Sequence, residues 1–458
     1  MTAEGKDPSS FRDPSGFLFG RDGRLYRQVN ENYRDDYDLL NSSGLYKALV
    51  EGGLLISHKE SDAEPASSSE AYKVIEPSFV PFISYPYEWC FSQLQDAALL
   101  TLQLQMTALE HGMSLKDASA YNIQFVAGRP ILIDTLSFEQ YIEGEPWVAY
   151  KQFCQHFLAP LALMSFVDVR LSRLLTLYID GVPLDLAASL LPMRTKFKAG
   201  LAAHIHLHAR SQRHYAERTT RETSRKFRLR SLMGLVESLK SAVRGLRWRL
   251  PHTEWGDYYD LTNYTEAGFQ HKQQVVRQLL TDIEPKSVWD LGANNGAFSR
   301  IAAEHAESVI AFDIDPVAVE ENYLQCRKEG ETRITPLLID LTNPSPAIGW
   351  ANRERMPLPE RGIADVALAL ALVHHLAISD NLPLGMIADW MASLCRDLII
   401  EFVPKADSQV QRLLSTREDI FADYHQERFE REFSAYFDIV EKSPIRETER
   451  TVYRMRRI

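Results

Sequence analysis

The residues best suited to chemistry in this 458-residue chain begin with Asp290-Leu-Gly-Ala-Asn-Asn-Gly296. This run follows a short apolar strand and opens the helical pattern GAFSRIAAEHA. Gly292 and Gly296 let the backbone turn tightly and leave room for a ligand. The helix start beyond offers free N–H groups and a positive dipole end, which suit a carboxylate or phosphate. Asp313 closes the next strand, 23 residues after Asp290. An acid about 20 residues past a glycine turn is placed to accept from ribose hydroxyls; Asp315 is the fallback. Asp340 ends the third strand, where its carboxylate would accept from an adenine amino group. His374 and His375 lie just past the fourth strand, and a neutral imidazole suits a general base near pH 7.

A second constellation lies earlier. Asp117 and Asn122 are five apart, and Asp134 follows twelve residues later at the end of an apolar strand. Oxygen ligands on adjacent loops suit a hard cation that also needs a triphosphate. Two weaker features complete the inventory. His204, His206 and His208 alternate; on a strand they would share a face and could bind a transition metal, but LAAHIHLHARSQRHYAER reads as helix, so no metal site is expected. Lys405 and Arg417 stand near a strand end, where an anionic substrate would meet them.

Elements must bring these residues together. In the second half, SVWDLG, VIAFDID, ITPLLID, ADVALALAL and DLIIEFVP are apolar runs of strand length. GAFSRIAAEHA, PVAVEENYLQCRKEG and GMIADWMASLCR lie between them with helical patterning. The alternation predicts a parallel sheet covered on both faces, whose strand ends form the ligand crevice. FDIVEKSPI and RTVYRMRRI predict a terminal hairpin, preceded by an amphipathic helical region over 402–433. In the first half, GFLFGRDGRLYRQV reads as a hairpin turning at Arg21-Asp22-Gly23. A helix ending at Gly112 and two short strands around Gly128 follow, then a mostly helical stretch from Trp147 to Pro192. Residues 57–72 read as an exposed loop. The domain boundaries expected are a flexible tail at 1–16, a first domain at 17–203, a basic helical connector at 204–252 and a second domain at 253–458.

Composition excludes several classes. Apolar residues are 45% and charged residues 25%, as in ordinary globular proteins. The net charge of −11 argues against a dedicated nucleic-acid coat. Charge is uneven, however: Ile205–Leu250 holds twelve Arg or Lys against three Glu, which reads as a solvated connector with an anionic-partner patch as the alternative. The four cysteines are far apart, so a cysteine-built zinc site is not expected and a reducing compartment is. No signal peptide and no membrane span are read, and the expected location is cytoplasmic.

From about residue 254 the chain resembles class I S-adenosylmethionine-dependent methyltransferases. The family motif is an acid followed by Gly-x-x-x-Gly, and Asp290-Leu-Gly-Ala-Asn-Asn-Gly296 matches it. Asn294 stands where dinucleotide dehydrogenases want a middle glycine, which disfavours NAD. The resemblance implies that Asp290, Gly292, Asn294 and Gly296 line the methionine end of the cofactor, with Asp313 on the ribose and Asp340 on the adenine. TEWGDYYDLTNY resembles the lid of such enzymes, so Trp255, Tyr258, Tyr259 and Tyr264 would cover the cofactor. ALVHHL replaces the Asn-Pro-Pro-Tyr motif linked with base or amide methylation, which favours a small molecule, glycan or protein side chain as acceptor. Residues 115–139 resemble the catalytic segment of the protein-kinase and aminoglycoside-phosphotransferase superfamily, implying Asp117 as base and Asn122 and Asp134 as magnesium ligands for Mg-ATP. The departures are Leu115-Lys116-Asp117 for His-Arg-Asp, Asp134-Thr135-Leu136 for Asp-Phe-Gly, and Arg27 where a lysine would anchor ATP.

The fused pair resembles uncharacterised bacterial methyltransferases related to a nodulation protein. The expected fold is α/β, with a C-terminal Rossmann-like methyltransferase sheet and an N-terminal α+β kinase-like domain, degenerate in its departures. The expected activity is methyl transfer, the first domain selecting or presenting the acceptor. The alternatives are a bifunctional kinase-methyltransferase, an RNA methyltransferase using the basic connector, and a non-catalytic sensor of S-adenosylmethionine.

Overall fold

The computed structural model describes residues 5–207, 228–251, 264–415 and 417–458. The chain forms two compact units, Met1–Arg249 with Ala347–Met356, and Leu250–Pro346 with Pro357–Ile458.

The first unit opens with an antiparallel sheet of β1 (Gly5–Lys6), β2 (Gly16–Arg21), β3 (Arg24–Asn30), β4 (His58–Glu60) and β5 (Ala71–Pro77), in the order β1-β2-β3-β5-β4. The β2–β3 turn holds Asp22 and Gly23 at φ 50° and 72°, the left-handed pair that matches strand twist in a two-residue hairpin. Two expectations are corrected here. Residues 5–16 are not a free tail: Gly5 and Lys6 pair with Gly20 and Phe19, and the Ser10 hydroxyl accepts from the Leu18 N–H at 2.8 Å. The loop expected at 57–72 contains β4, which gives β5 a partner on its outer edge.

The buried helix Phe91–Glu110 follows, stopped by Gly112 at φ 73°. β6 (Met113–Leu115) pairs with β9 (Phe138–Gln140), and β7 (Ile123–Val126) pairs with β8 (Arg129–Leu132) around Gly128. The expected connector also differs from its reading. Its helix Leu229–Arg244 belongs to the first unit and buries Leu232, Val236, Leu239 and Val243. The spacing of four, three and four puts them on one face, and Gln95 of the long helix donates to the Val243 carbonyl at 2.8 Å. Burying four aliphatic side chains contributes roughly 6–12 kcal/mol before chain-ordering entropy. The charges on this helix, Arg230, Glu237, Lys240 and Arg244, lie off that face; the basic residues at 208–227 lie outside the described residues.

The second unit is built on β10 (Ser287–Leu291), β11 (Ser308–Asp313), β12 (Ile334–Leu338), β13 (Ala364–Ala369), β14 (Cys395–Phe402), β15 (Phe437–Pro444) and β16 (Thr451–Arg457). They form one sheet in the order β12-β11-β10-β13-β14-β16-β15. β10 to β14 are parallel and the terminal hairpin adds antiparallel strands. Helices Ala297–Ala303, Pro316–Glu329 and Leu384–Leu394 make the crossovers where the sequence pattern put them. From β10 the chain winds outward through β11 and β12, then returns to β13 on the other side. The crevice at this reversal, past the carboxyl ends of the strands, is where such sheets bind ligands. The region expected to be helical over 402–433 yields two short helices, Ser408–Leu414 and Gln426–Phe433. Phe429 and Phe433 of the second are fully buried.

Candidate functional site

The turn after β10 is laced to the neighbouring strand, with the N–H groups of Gly292 and Ala293 both donating to the Phe312 carbonyl at 2.9 and 2.8 Å. Gly292 and Gly296 take φ 75° and 83°. A Cβ at Gly296 would run into the amide of Asn322, itself 1% exposed, so this backbone approach is open to glycine alone. Asn294 also has a positive φ, 51°, a conformation Asn tolerates better than most residues.

Three acids meet this turn. Asp290 is buried and accepts from the Ser299 hydroxyl at 2.6 Å. Asp313 accepts from the N–H groups of Asn294 and Asp315, both at 2.8 Å. Burial raises both carboxyls to about 6, against the hydrogen bonds that hold them down. Asp340 is half-buried and is oriented by Thr342, whose N–H and hydroxyl donate to it at 2.9 and 2.6 Å. Asp315 is accounted for differently: it caps the next helix, accepting from the Val317 N–H at 2.8 Å.

Asp290, Gly292, Asn294, Asp313 and Asp340 all line one cavity of about 310 Å³. Its apolar wall includes Ile314, Ile339, Leu341 and Leu372. His375 lines it too; His374 lies behind, 1% exposed, with ring centroids 4.1 Å apart. Burial, then the positive charge of Arg450, pushes His375 down to about 4, so it is neutral at pH 7. Gly296 stands behind the wall, where its φ shapes the turn. Trp255, Tyr258 and Tyr259 lie outside the described residues; Tyr264 lines the cavity and donates to Glu401.

Sequence reasoning missed a buried charge network beside the cavity. Lys272, on the helix Glu266–Ile283, lines the cavity and donates to Glu401 at 2.6 Å. Arg450 reaches Glu401 at 3.8 Å and Asp407 at 2.7 Å. Lys272 and Glu401 are both essentially inaccessible, so each needs the other's charge. The signal was Glu401, a lone acid inside the apolar run DLIIEFVP. Two other expectations are corrected. Lys405 is paired with Asp419 at 2.8 Å, and Arg417 donates to Asn381 at 2.7 Å, so protein groups already occupy both.

In the first unit, Asp117, Asn122 and Asp134 do converge. Asp117 accepts from the Ser119 N–H at 2.9 Å and from Gln152 at 2.7 Å. Burial, then the charge of Asp134, raises its carboxyl, while Asn122 donates to it. Asn122 also reaches Ser137 at 3.4 Å. Asp134 accepts from the Leu136 N–H and the Ser137 hydroxyl. Its remaining partner is Arg27, 2.8 Å away, which also holds Asp13 at 3.0 Å. A guanidinium thus sits where a divalent cation would need Asp134, and this donor set does not fit Mg-ATP. Of the alternating histidines, His204 bonds to Tyr150 and Ser238, and His206 to Thr195, each at 2.9 Å; His208 lies outside the described residues. No group of three or more His, Cys, Asp or Glu with metal-binding geometry occurs among the described residues. None of their helices is long and apolar enough to cross a membrane.

No family model matches the chain. Among solved structures, it is similar to the N-methyltransferase NodS from Bradyrhizobium japonicum WM9, with 13% identity, 42% of this chain, 97% of that one and a TM-score of 0.31. It is similar also to the magnesium protoporphyrin IX methyltransferase ChlM from Synechocystis PCC 6803 with bound S-adenosylhomocysteine, with 20% identity, 41% of this chain, 84% of that one and a TM-score of 0.30. In sequence it is 36% identical over 463 residues to the nodulation protein NoeA of Rhizobium meliloti (strain 1021), covering 99% of this chain and 96% of the relative. The chain therefore belongs to the NoeA family of nodulation proteins.

Proposed function

We propose that the second unit binds S-adenosylmethionine and transfers its methyl group to a small molecule, a glycan or a protein side chain. One observation carries this reading: a glycine turn and acids at three successive strand ends share a single cavity with an amphiphilic wall. The residues fit the cofactor's chemistry. Asp290 would meet its ammonium, Asp313 its ribose diol and Asp340 its adenine amino group, against Ile314, Ile339 and Leu341. When bound, the cofactor supplies an electrophilic methyl group on a sulfonium, so the protein's part is largely in-line positioning.

His375 would accept a hydrogen bond from the acceptor's N–H or O–H and orient its lone pair. Its depressed basicity makes it a poor base towards the free acceptor. Methyl transfer to an oxygen turns that same O–H into a strongly acidic oxonium, whose proton His375 would take; a methylated amine would instead leave as the ammonium and lose its proton to solvent. His374, behind it, would hold the ring in place. For the first unit we propose acceptor selection or presentation by a degenerate kinase-like fold; the Arg27–Asp134 pair supports this over phosphotransfer. Half of the twelve basic residues that motivated an RNA acceptor lie at 208–227, outside the described residues.

The test is calorimetric titration with S-adenosylmethionine, then with Mg-ATP. Binding of the first, weakened at least tenfold in Asp313→Asn, is the expected result. No binding by folded protein would overturn the reading. Mg-ATP binding would restore the bifunctional alternative. Cofactor binding without S-adenosylhomocysteine formation in any extract would leave a sensor.

A further inference from the structure

A turn in the first unit has an unusual surface. Met193–Phe197 is a 3₁₀ turn in which Thr195 points inward, fully buried. Thr195 is fixed there by the Pro192 carbonyl at 2.7 Å and by His206 at 2.9 Å. Its neighbours must therefore face out. Phe197 is 87% exposed and Met193 66%, with Leu190 beside them at 43%. Such exposure of a whole aromatic ring on a rigid, pinned turn needs a reason, since a loose tip would fold the ring back.

The charges on the same turn supply one. Arg194, Lys196 and Lys198 are all exposed, and Leu186–Leu207 contains no acid. Among the described residues, none of the three cations has an ion pair. Arg194 and Lys198 both lie over the Phe166 ring, at 5.7 and 5.4 Å from its centroid. That contact holds two cations beside the apolar side chains, and it brings in Val167, 48% exposed. The result is an apolar tip beside three cations that have no ion pair among the described residues, the Lys196 ammonium reaching the Met193 sulfur at 3.2 Å. A bilayer with anionic headgroups presents the complement: negative charge at the surface and an apolar layer just beneath.

We propose that this turn docks the protein on an anionic lipid surface, with Phe197 and Met193 entering the headgroup boundary and Arg194, Lys196 and Lys198 meeting lipid phosphates. The contact is peripheral and reversible. It is independent of the methyltransferase reading.

The test is co-sedimentation of the full chain with vesicles of pure phosphatidylcholine and of phosphatidylcholine with 30 mol% phosphatidylglycerol, a mixture chosen at roughly natural anionic density. Binding to the anionic vesicles alone, weakening with added salt, is expected. Phe197→Ser should lower the partition coefficient about tenfold. The triple variant Arg194→Gln, Lys196→Gln, Lys198→Gln should lower it by up to about 100-fold, at about fivefold per cation. Unchanged circular dichroism and thermal transition would show both variants folded. Wild-type binding that ignores lipid charge, or a folded triple variant that binds like wild type, would overturn the proposal. Loss of binding to a single-stranded RNA oligonucleotide in the triple variant, with no vesicle binding in the wild type, would assign the turn to nucleic acid instead.

Discussion

Replacing Asp290 by Asn should make the protein more stable and a worse cofactor binder, and both effects can be sized. Asp290 is 2% exposed and burial is the main cause of its raised carboxyl, at about 6 against an ordinary 3.8. Between pH 4 and 6 the folded chain therefore holds more protons at this position than the unfolded chain does. Stability from this group falls as pH rises through that window and stays low above it. A rise of about two pKa units corresponds to roughly 3 kcal/mol at pH 8. Asn has the same shape and can still accept from Ser299, so most of that cost should disappear. In a unit of about 200 residues, 3 kcal/mol moves a thermal midpoint by roughly 6–12 °C. Differential scanning calorimetry at pH 8 should show the unit's transition rise by that order, and at pH 4 the gain should vanish. Titration should show S-adenosylmethionine affinity falling at least about tenfold, because a charge-assisted bond to the ammonium is lost. A midpoint unchanged at pH 8, or a gain equal at both pH values, would refute the account of Asp290 as a buried charge kept for its ligand.

Lys272→Met should remove the short ion pair of Glu401, leaving it the longer contact to Arg450 at 3.8 Å, and destabilise the second unit by about 3 kcal/mol; denaturant titration checks this, and Lys272→Met with Glu401→Gln should recover part of the loss. Arg27→Met should destabilise the first unit by a similar amount, since Asp134 and Asp13 both lose their cation. A double-mutant cycle with Asp134→Asn should show coupling of at least about 1 kcal/mol. His375→Ala should slow S-adenosylhomocysteine formation in acceptor-containing extract by about 10²-fold while leaving cofactor affinity intact; equal turnover would assign His375 to packing.

The second unit was legible because its signals are local. Each strand from β10 to β14 is an apolar run, each crossover helix begins at a recognisable Gly, Asp-Pro or Pro, and the acids sit at strand ends by position alone. What sequence could not show was which charges are buried. Lys272 sits on a helix with Gln and Arg around it and reads as solvent-facing; only the fold puts it against Glu401. Arg450 looks like one of several arginines near the terminal hairpin, yet it is 1% exposed. The basic connector misled for the converse reason. Its net charge dominated the reading, while four aliphatic residues at helical spacing decided where Leu229–Arg244 packs. In the first unit, Asp117, Asn122 and Asp134 were found, but the residue that answers them was not: Arg27 stood out as a missing lysine, and its pairing with Asp134 and Asp13 needs strand register to be seen.

Because Ala347–Met356 returns to the first unit before the chain resumes the second, the polypeptide passes between the units three times. Within the first unit Glu354, only 3% exposed, takes two nitrogens of Arg12, the shorter contact being 2.7 Å. A gene cut at any single codon would therefore never yield two complete halves. A shortened chain starting at residue 250 would carry residue 354 away from Arg12, and one ending at residue 249 would leave Arg12 behind. Exchange of either unit at a single junction would separate Arg12 from Glu354. The two units are expected to be inherited together, and the alignment to NoeA along nearly the whole of both chains has the form such co-inheritance leaves.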